Sequence, residues 1–142
     1  MFKTAQEARK FATAGNAIVT LESAKTGQHF TYRLRQLTDK QDNPISKWFV
    51  SLLTGQNNES DYNYIGLLDD SGFRLTAKSK ASEDAPSVKG FKFFWNHVSH
   101  DHLPENLIVH HEGRCGRCAR KLTVPESIES GYGPECIHKI GG

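Results

Sequence analysis

All three cysteines of this 142-residue chain lie between positions 115 and 136, and this clustering is the strongest constraint on its fold. Cys115 and Cys118 have the C-x2-C spacing with which two thiolates in a tight turn bind one Zn²⁺, and Cys136 follows after 17 further residues. An odd number of cysteines argues against a disulfide framework. The spacing therefore predicts a structural zinc site with three thiolate ligands.

The fourth ligand of this predicted site is not decided by spacing. A structural zinc ion takes four protein ligands, and here the fourth has to be a histidine. His110 and His111 precede the cysteines, and His138 follows them. Two other interpretations of the cysteines are buried free thiols and a redox pair, which would leave Cys136 without a role. Gly116, inside the C-x2-C turn, is expected to permit the tight turn.

The first 109 residues contain no cysteine and most of the apolar residues, and alternation of apolar and polar residues dominates them. Alternation with a period of two is typical of a strand with one buried face. Short links between such strands favour antiparallel pairing. The predicted strands cover residues 17–22, 30–35, 48–53, 62–68, 73–78 and 106–110.

Two helices are predicted to pack against this sheet. Thr4 and Glu7 have the spacing of a capping box, and Gly15 marks the end of the helix that follows them. Asp84 is predicted to cap the second helix, with Pro86 in its first turn. The apolar stripe of that helix consists of Val88, Phe91, Trp95 and Val98.

These patterns predict an α+β chain in two parts. Residues 1–109 would form an antiparallel sheet of about five to six strands, with the N-terminal helix and the packed helix. Residues 110–142 would form a small zinc-knuckle module, with a short helix after the capping box of Thr123 and Glu126. Because the module has few large apolar residues, metal binding would supply the free energy that its own core cannot.

Basic residues form two clusters, although the net charge of the chain is only +2. The first lies on the polar faces of two predicted strands and consists of Arg33, Arg35, Arg74 and Lys78. If those faces coincide, the four cations line one side of the sheet, and backbone phosphates are their natural partner. The second surrounds the cysteines and consists of Arg114, Arg117, Arg120 and Lys121. The alternatives are a solvated sheet face and hydrogen bonds from the second cluster to thiolate sulfurs.

Residues 111–136, HEGRCGRCARKLTVPESIESGYGPEC, resemble a small zinc-ribbon-like domain family of unknown function that is met mainly in phage and prophage proteins. The family repeats the pattern His-Glu-Gly-Arg-Cys and lacks a histidine two residues after the last cysteine. The resemblance therefore implies His111, rather than His138, as the fourth ligand of a structural Zn²⁺. It also implies a phage context, and no established activity. Ala119 departs from the pattern, because a glycine is usual there.

The leading hypothesis for function is a zinc-binding phage-type accessory protein that binds nucleic acid through the basic sheet face and the knuckle. The alternative is an interaction module that binds and inhibits a host enzyme or defence complex. The two predict different salt dependence, since phosphate contacts weaken steeply as salt rises. The oligomeric state is left open by the sequence.

Enzymatic activity is not expected. His110 and Glu112 ahead of a C-x2-C pair are superficially similar to the zinc deaminase signature. In those enzymes the histidine and the cysteines stand on different helices, whereas here they almost adjoin. Cys136 would also close the open position that a catalytic zinc needs. Because no apolar run is long enough to span a membrane, and the N-terminus lacks a secretory signal, we expect the cytoplasm. The phage resemblance implies that this is the cytoplasm of a bacterial host.

Overall fold

Six strands form one curled antiparallel sheet in the computed structural model, which describes residues 1–57, 59–122 and 125–139. The strands are β1 (Asn16–Ser23), β2 (His29–Thr38), β3 (Pro44–Leu53), β4 (Tyr62–Asp69), β5 (Gly72–Arg74) and β6 (Leu107–His111). Their order across the sheet is β5-β4-β3-β2-β1-β6. The first five strands are therefore a meander of hairpins, and β6 returns to pair with the free edge of β1. The predicted α+β class is confirmed.

Three helices and one 3-10 turn complete the described chain. Helix α1 (Ala5–Ala12) begins as predicted, because the Thr4 hydroxyl accepts a hydrogen bond from the Glu7 amide at 3.1 Å. Helix α2 (Pro86–Val98) begins one residue later than predicted. Its N-cap is Ala85, which offers no side-chain cap, so the capping role predicted for Asp84 is wrong. Helix α3 (Pro125–Ser130) and a 3-10 turn (Cys136–His138) lie in the cysteine-rich segment, where Thr123 of the predicted capping box is outside the described residues.

The bounds of β2, β3 and β5 differ from the prediction because hydrogen bonds in the turns decide them. The Asp39 carboxylate accepts hydrogen bonds from the amides of Gln41 and Asn43, so a tight turn joins β2 and β3 where a longer loop was expected. Strand β5 stops at Arg74, since the Thr76 amide bonds to a serine hydroxyl instead of continuing the ladder. Lys78 consequently lies in a turn beyond the sheet.

Alternation along the strands gives the sheet two unlike faces. Helices α1 and α2 cover one face, which we call the inner face, and the opposite side is the outer face. Tyr32 is fully buried on the inner face, where its hydroxyl donates to the Ser87 carbonyl at the start of α2. The stripe of α2 that packs there is formed by Val88, Phe91, Phe94 and Val98, with Trp95 only half-buried. Within the described residues, no helix is long and apolar enough to cross a membrane.

Candidate metal centre and basic face

The C-x2-C pair lies in a tight hairpin that follows β6. Arg114 and Lys121 form an antiparallel bridge, and the Cys115 amide donates to the Arg120 carbonyl at 2.9 Å. The Ala119 amide closes the turn by donating to the Cys115 carbonyl at 2.8 Å. Ala119 itself has φ of 64°, in the left-handed region that favours glycine. A glycine at this position would adopt the same backbone conformation without strain.

The structure brings the three cysteines together. The Sγ atoms of Cys115, Cys118 and Cys136 all lie within 4.8 Å of one another, and all three residues are free thiols. In a tetrahedral site with Zn–S bonds of about 2.3 Å, sulfur atoms are separated by about 3.8 Å. Cys115 and Cys136 are buried, whereas Cys118 is exposed. The group can therefore hold a metal ion with small side-chain adjustments.

The surroundings of Cys115 and Cys118 shift the pKa values of the two thiols in opposite directions. Burial alone would hinder ionisation of Cys115, but the amides of Gly133, Cys118 and Arg117 donate toward its sulfur, and together they lower its pKa. Burial, and then the neighbouring sulfurs of Cys136 and Cys115, raise the pKa of Cys118. Three crowded thiols cannot all ionise without a compensating positive charge. A bound cation supplies that charge, so the donor set fits a thiophilic metal ion.

One arginine of the knuckle is committed to the cysteines. The Arg117 guanidinium donates from Nη1 to the Cys136 sulfur at 3.5 Å, and the Arg117 amide approaches the Cys115 sulfur at 3.4 Å. Hydrogen bonding to the cysteine sulfurs was the predicted alternative to phosphate binding for the second basic cluster, and Arg117 follows it. Arg120 and Lys121 are exposed, and no ion pair joins either of them to an acid in the part of the chain that is described.

The cysteine module rests on the end of α1. A Cβ added at Gly116 would come within 2.7 Å of the Phe11 ring, and one added at Gly131 within 2.9 Å. The expected role of Gly116 is therefore corrected: its φ is not positive, and the glycine is needed because the Phe11 ring packs directly on the backbone. The Tyr132 ring also packs near Phe11, with ring centres 5.7 Å apart. The Asn16 amide, which begins β1, donates to the Gly116 carbonyl at 3.0 Å.

The sheet and the module share one apolar core. Strand β6 extends to His111 and so continues past position 109, where the domain boundary was predicted. The buried residues of the module that join the core of the sheet are Cys115, Leu122, Tyr132 and Cys136. The division into 1–109 and 110–142 stays a prediction, and packing across it is continuous.

None of the three candidate histidines belongs to the cysteine group within the described residues. His110 faces the outer side, where its Nε2 lies 3.1 Å from a Glu22 carboxylate oxygen. His111 faces the inner side, where its Nδ1 accepts from the Gly113 amide and its Nε2 donates to the Ile128 carbonyl. His138 is exposed on the 3-10 turn. Binding of a metal by His111 would require its ring to release one of these two backbone partners.

Three of the four cations of the predicted sheet patch lie on the outer face. Arg33 and Arg35 alternate with the inner residues of β2, and Arg35 pairs with Phe49 of β3. Phe49 pairs with Leu67 of β4, which pairs with Arg74 of β5, so these side chains share one face. The predicted coincidence of the two polar strand faces therefore holds for the arginines. Lys78 is exposed in the turn after β5 and does not lie with the three arginines on the outer face.

The outer-face arginines differ in their partners. The Arg33 guanidinium lies 4.6 Å from the centre of the Tyr62 ring. The pKa of Arg33 is lowered, first by burial and then by the charge of Arg35. Arg74 forms an ion pair of 2.8 Å with Asp69. Arg35 is exposed, and no ion pair involves it among the described residues. Arg35 is thus the cation most available to an incoming anion.

Arg114 connects the knuckle to the outer face. Its guanidinium forms an ion pair of 2.7 Å with Glu59, whose backbone carbonyl also approaches Arg33 at 3.5 Å. A cavity of about 200 Å³ beside it is lined by Ile18, Thr31, Glu59, Tyr62, Glu112 and Arg114. Arg114, one member of the second basic cluster, therefore adjoins the arginines of the outer face.

Sequence reasoning missed the aromatic residues of the outer face. Tyr62, Tyr64 and Phe49 all lie there, on β4 and β3. Phe49 is 43% exposed, and its ring meets that of Tyr64 edge to face, with centres 5.2 Å apart. The alternation of side chains along β3 could have predicted the position of Phe49. Trp48 and Val50 are buried, so the residue between them has to face outward. On α2, by contrast, Phe91 and Phe94 are buried in the core, and Phe93 is 40% exposed.

These observations define the class of the molecule, an α+β chain whose antiparallel sheet leads into a three-cysteine centre able to hold a metal ion. Residues 109–141 match a family described as a "Family of unknown function (DUF6011)". The match covers less than a quarter of the chain, from the end of β6 through the cysteines. The chain matches no curated protein and no solved structure. The C-terminal segment is thus similar to a family of unknown function, and the comparison assigns no activity.

Proposed function

We propose that this protein is a zinc-binding, phage-type accessory protein that binds nucleic acid with its outer sheet face and the adjoining knuckle. The observation that supports this most is the common orientation of Arg33, Arg35 and Arg74, with Arg114 joined to the same side through Glu59. Exposed arginines on one surface attract backbone phosphates, and aromatic side chains between them suit single bases. The protein acts by binding and is not an enzyme.

Zinc in this proposal is structural. Cys115, Cys118 and Cys136 would hold it, with His111 as the fourth ligand after its ring leaves the Ile128 carbonyl. A bound zinc ion crosslinks the hairpin to the 3-10 turn, which lie far apart in the sequence. Arg117 offsets part of the negative charge of the thiolates. Arg114, Arg120 and Lys121 would then meet phosphates.

The test is binding of zinc-loaded protein to short nucleic acids across a salt series. We expect affinity that falls steeply with salt, and replacement of one phosphate contact, by Arg35→Gln or Lys121→Gln, should reduce the salt slope by about one. Lys89→Gln is the matched control, because Lys89 is an exposed cation on α2, the helix that covers the inner face. Absence of binding at about 50 mM salt would contradict the proposal.

The alternative partner is a host protein, such as an enzyme or a defence complex that the protein inhibits. The observation that favours it is the exposure of two large apolar residues on the cysteine module, Ile128 at 46% and Ile137 at 38%. A complex of this kind would be less sensitive to salt and would weaken on Ile137→Ser. The basic-face variants would leave it unchanged.

A further inference from the structure

Phe49 is an exposed aromatic ring in the middle of a sheet face. It lies on β3, flanked by β2 and β4, and 43% of it is open to solvent. Its cross-strand neighbours are Arg35 on one side and Leu67 on the other, and Leu67 in turn pairs with Arg74. The row across the outer face therefore reads cation, aromatic, aliphatic, cation. We call these four residues the stacking row.

The orientation of the Phe49 ring is held by its neighbour. The Tyr64 ring meets it at 78° with centres 5.2 Å apart, and the Tyr64 hydroxyl is within 3.0 Å of the Thr76 hydroxyl. A tyrosine anchored at both ends restrains the phenylalanine beside it. A restrained, exposed ring can bind a planar partner with little further loss of side-chain entropy.

The charges beside the ring suit a partner with phosphates on both sides of a planar group. Strands in a sheet are about 4.8 Å apart, so Arg35 and Arg74 are separated by about 14 Å along the sheet. Both guanidinium groups can contact phosphates, Arg35 directly and Arg74 with the 52% of its side chain that stays exposed beside Asp69. A scattered surface aromatic would lack this flanking pair of cations.

We infer that the stacking row binds single-stranded nucleic acid, with an unpaired base on the Phe49 ring and flanking phosphates on Arg35 and Arg74. The inference rests on the proposed function and names the substrate class of the same face. A duplex does not suit the row, because its bases are already stacked and present only their edges in the grooves. Stacking on an aromatic ring is tolerant of sequence, so the preference would be for single strands over duplexes rather than for one base.

The experiment compares zinc-loaded wild-type protein with Phe49→Leu and Phe93→Leu on oligonucleotides of about 16 nucleotides, single-stranded and duplex. Phe93 is the matched control, since it is 40% exposed but lies on α2. We expect tighter binding to the single strand. Phe49→Leu should weaken that binding by about 5- to 150-fold, which corresponds to about 1–3 kcal/mol for one stacked base.

Three further readouts separate stacking from loss of fold. The salt slope of Phe49→Leu should stay unchanged, because the ring contacts no phosphate. Phe93→Leu should bind as the wild type does. Phe49→Trp should retain the affinity, and its fluorescence should be quenched when a base stacks on the indole. Circular dichroism and zinc content establish that each variant is folded.

The possible failures are distinguishable. Equal binding of single strands and duplexes, wild-type affinity of Phe49→Leu, or equal loss in Phe93→Leu would overturn the stacking row while leaving a nucleic-acid-binding protein. Absence of binding to every oligonucleotide at about 50 mM salt would overturn the proposed function and the stacking row together.

Discussion

The sheet and the cysteine module are stabilised in different ways. The sheet has a continuous apolar core, whose largest fully buried residues include Tyr32, Leu34, Val50, Ile65, Leu68, Phe91 and Phe94. In the described part of the module, by contrast, the buried residues with sizeable apolar side chains are Leu122 and Tyr132. The module instead gathers three thiols and rests on one ring of α1. Burial of apolar side chains stabilises the sheet, whereas we expect the module to depend on a bound metal ion and on the surface that α1 provides.

This difference gives the two regions an order of dependence. The Phe11 ring and the Asn16 amide belong to the sheet region, and both contact the knuckle backbone directly. The sheet can therefore form this surface before the module folds, but the module has no comparable support of its own. Variants of the two regions should consequently have unequal effects on the protein.

The largest effect is expected from removing a thiolate. Cys115→Ser deletes a buried ligand, so zinc content should fall from about one ion per chain to near zero. The module should become disordered while the sheet stays folded, since the largest fully buried side chains of the shared core belong to the sheet and its two helices. Amide NMR spectra would show this as loss of dispersion confined to residues after β6, and elemental analysis would give the zinc content.

The control for this variant is Ile137→Ser, which changes an exposed residue beside Cys136 and should retain zinc. Retention of zinc by Cys115→Ser together with unchanged thermal stability would contradict the dependence of the module on metal. Loss of the whole sheet would show instead that the two regions fold as one unit.

The second effect concerns the fourth ligand. If His111 binds zinc, His111→Ala should weaken zinc affinity by about 10- to 100-fold, or about 1.4–2.8 kcal/mol, whereas His138→Ala should have no effect. Competition with a chelator measures the affinity, and the absorption of the cobalt-substituted protein reports loss of a nitrogen ligand. Wild-type affinity in His111→Ala would assign the ring to its hydrogen bonds with Gly113 and Ile128 alone.

The histidines also show where sequence reasoning ends. Strand alternation was readable from local residues, so the strands and the burial of Tyr32 and Leu34 could be predicted. The same alternation sends the adjacent His110 and His111 to opposite faces. Which of the two faces the helices cover depends on the topology of the whole chain, so it cannot be predicted from spacing along the sequence. The grouping of the three cysteines was therefore predictable, whereas the choice among the histidines was left open.

The basic face illustrates the same limit. That Arg33 and Arg35 share a face follows from their separation by two residues, but the place of Arg74 depends on the order of four strands. Lys78 failed to join them because the Thr76 amide bonds to Ser79 and ends the strand. Competition between side-chain and backbone acceptors is decided by geometry that alternation does not encode.

The third effect tests the contact between the two regions. Phe11→Leu removes the ring that packs on Gly116 and Gly131, and it should lower the free energy of unfolding by about 1–2 kcal/mol. Zinc affinity should fall by about 5- to 30-fold, because the surface under the knuckle is altered.

The control for Phe11→Leu is Phe91→Leu, because the Phe91 ring is equally buried but packs on Tyr32 and Phe73. It should reduce stability similarly and leave the zinc affinity of the folded protein unchanged, so equal loss of zinc affinity in both variants would argue against a specific contact.

The smallest effect is a gain in stability at Ala119. Its φ of 64° places an alanine in the left-handed region, at a cost of about 1–2 kcal/mol that glycine avoids. Because glycine also loses more backbone entropy on folding, Ala119→Gly should stabilise the module by only about 0.5–1 kcal/mol. The gain should be confined to the module, so zinc loss to a chelator should become slower.

The control for this variant is Asp42, which also has a positive φ, of 63°, but lies in the turn between β2 and β3, outside the module. Asp42→Gly should leave zinc loss unchanged, and equal slowing in both variants would mean that the two regions are not stabilised separately.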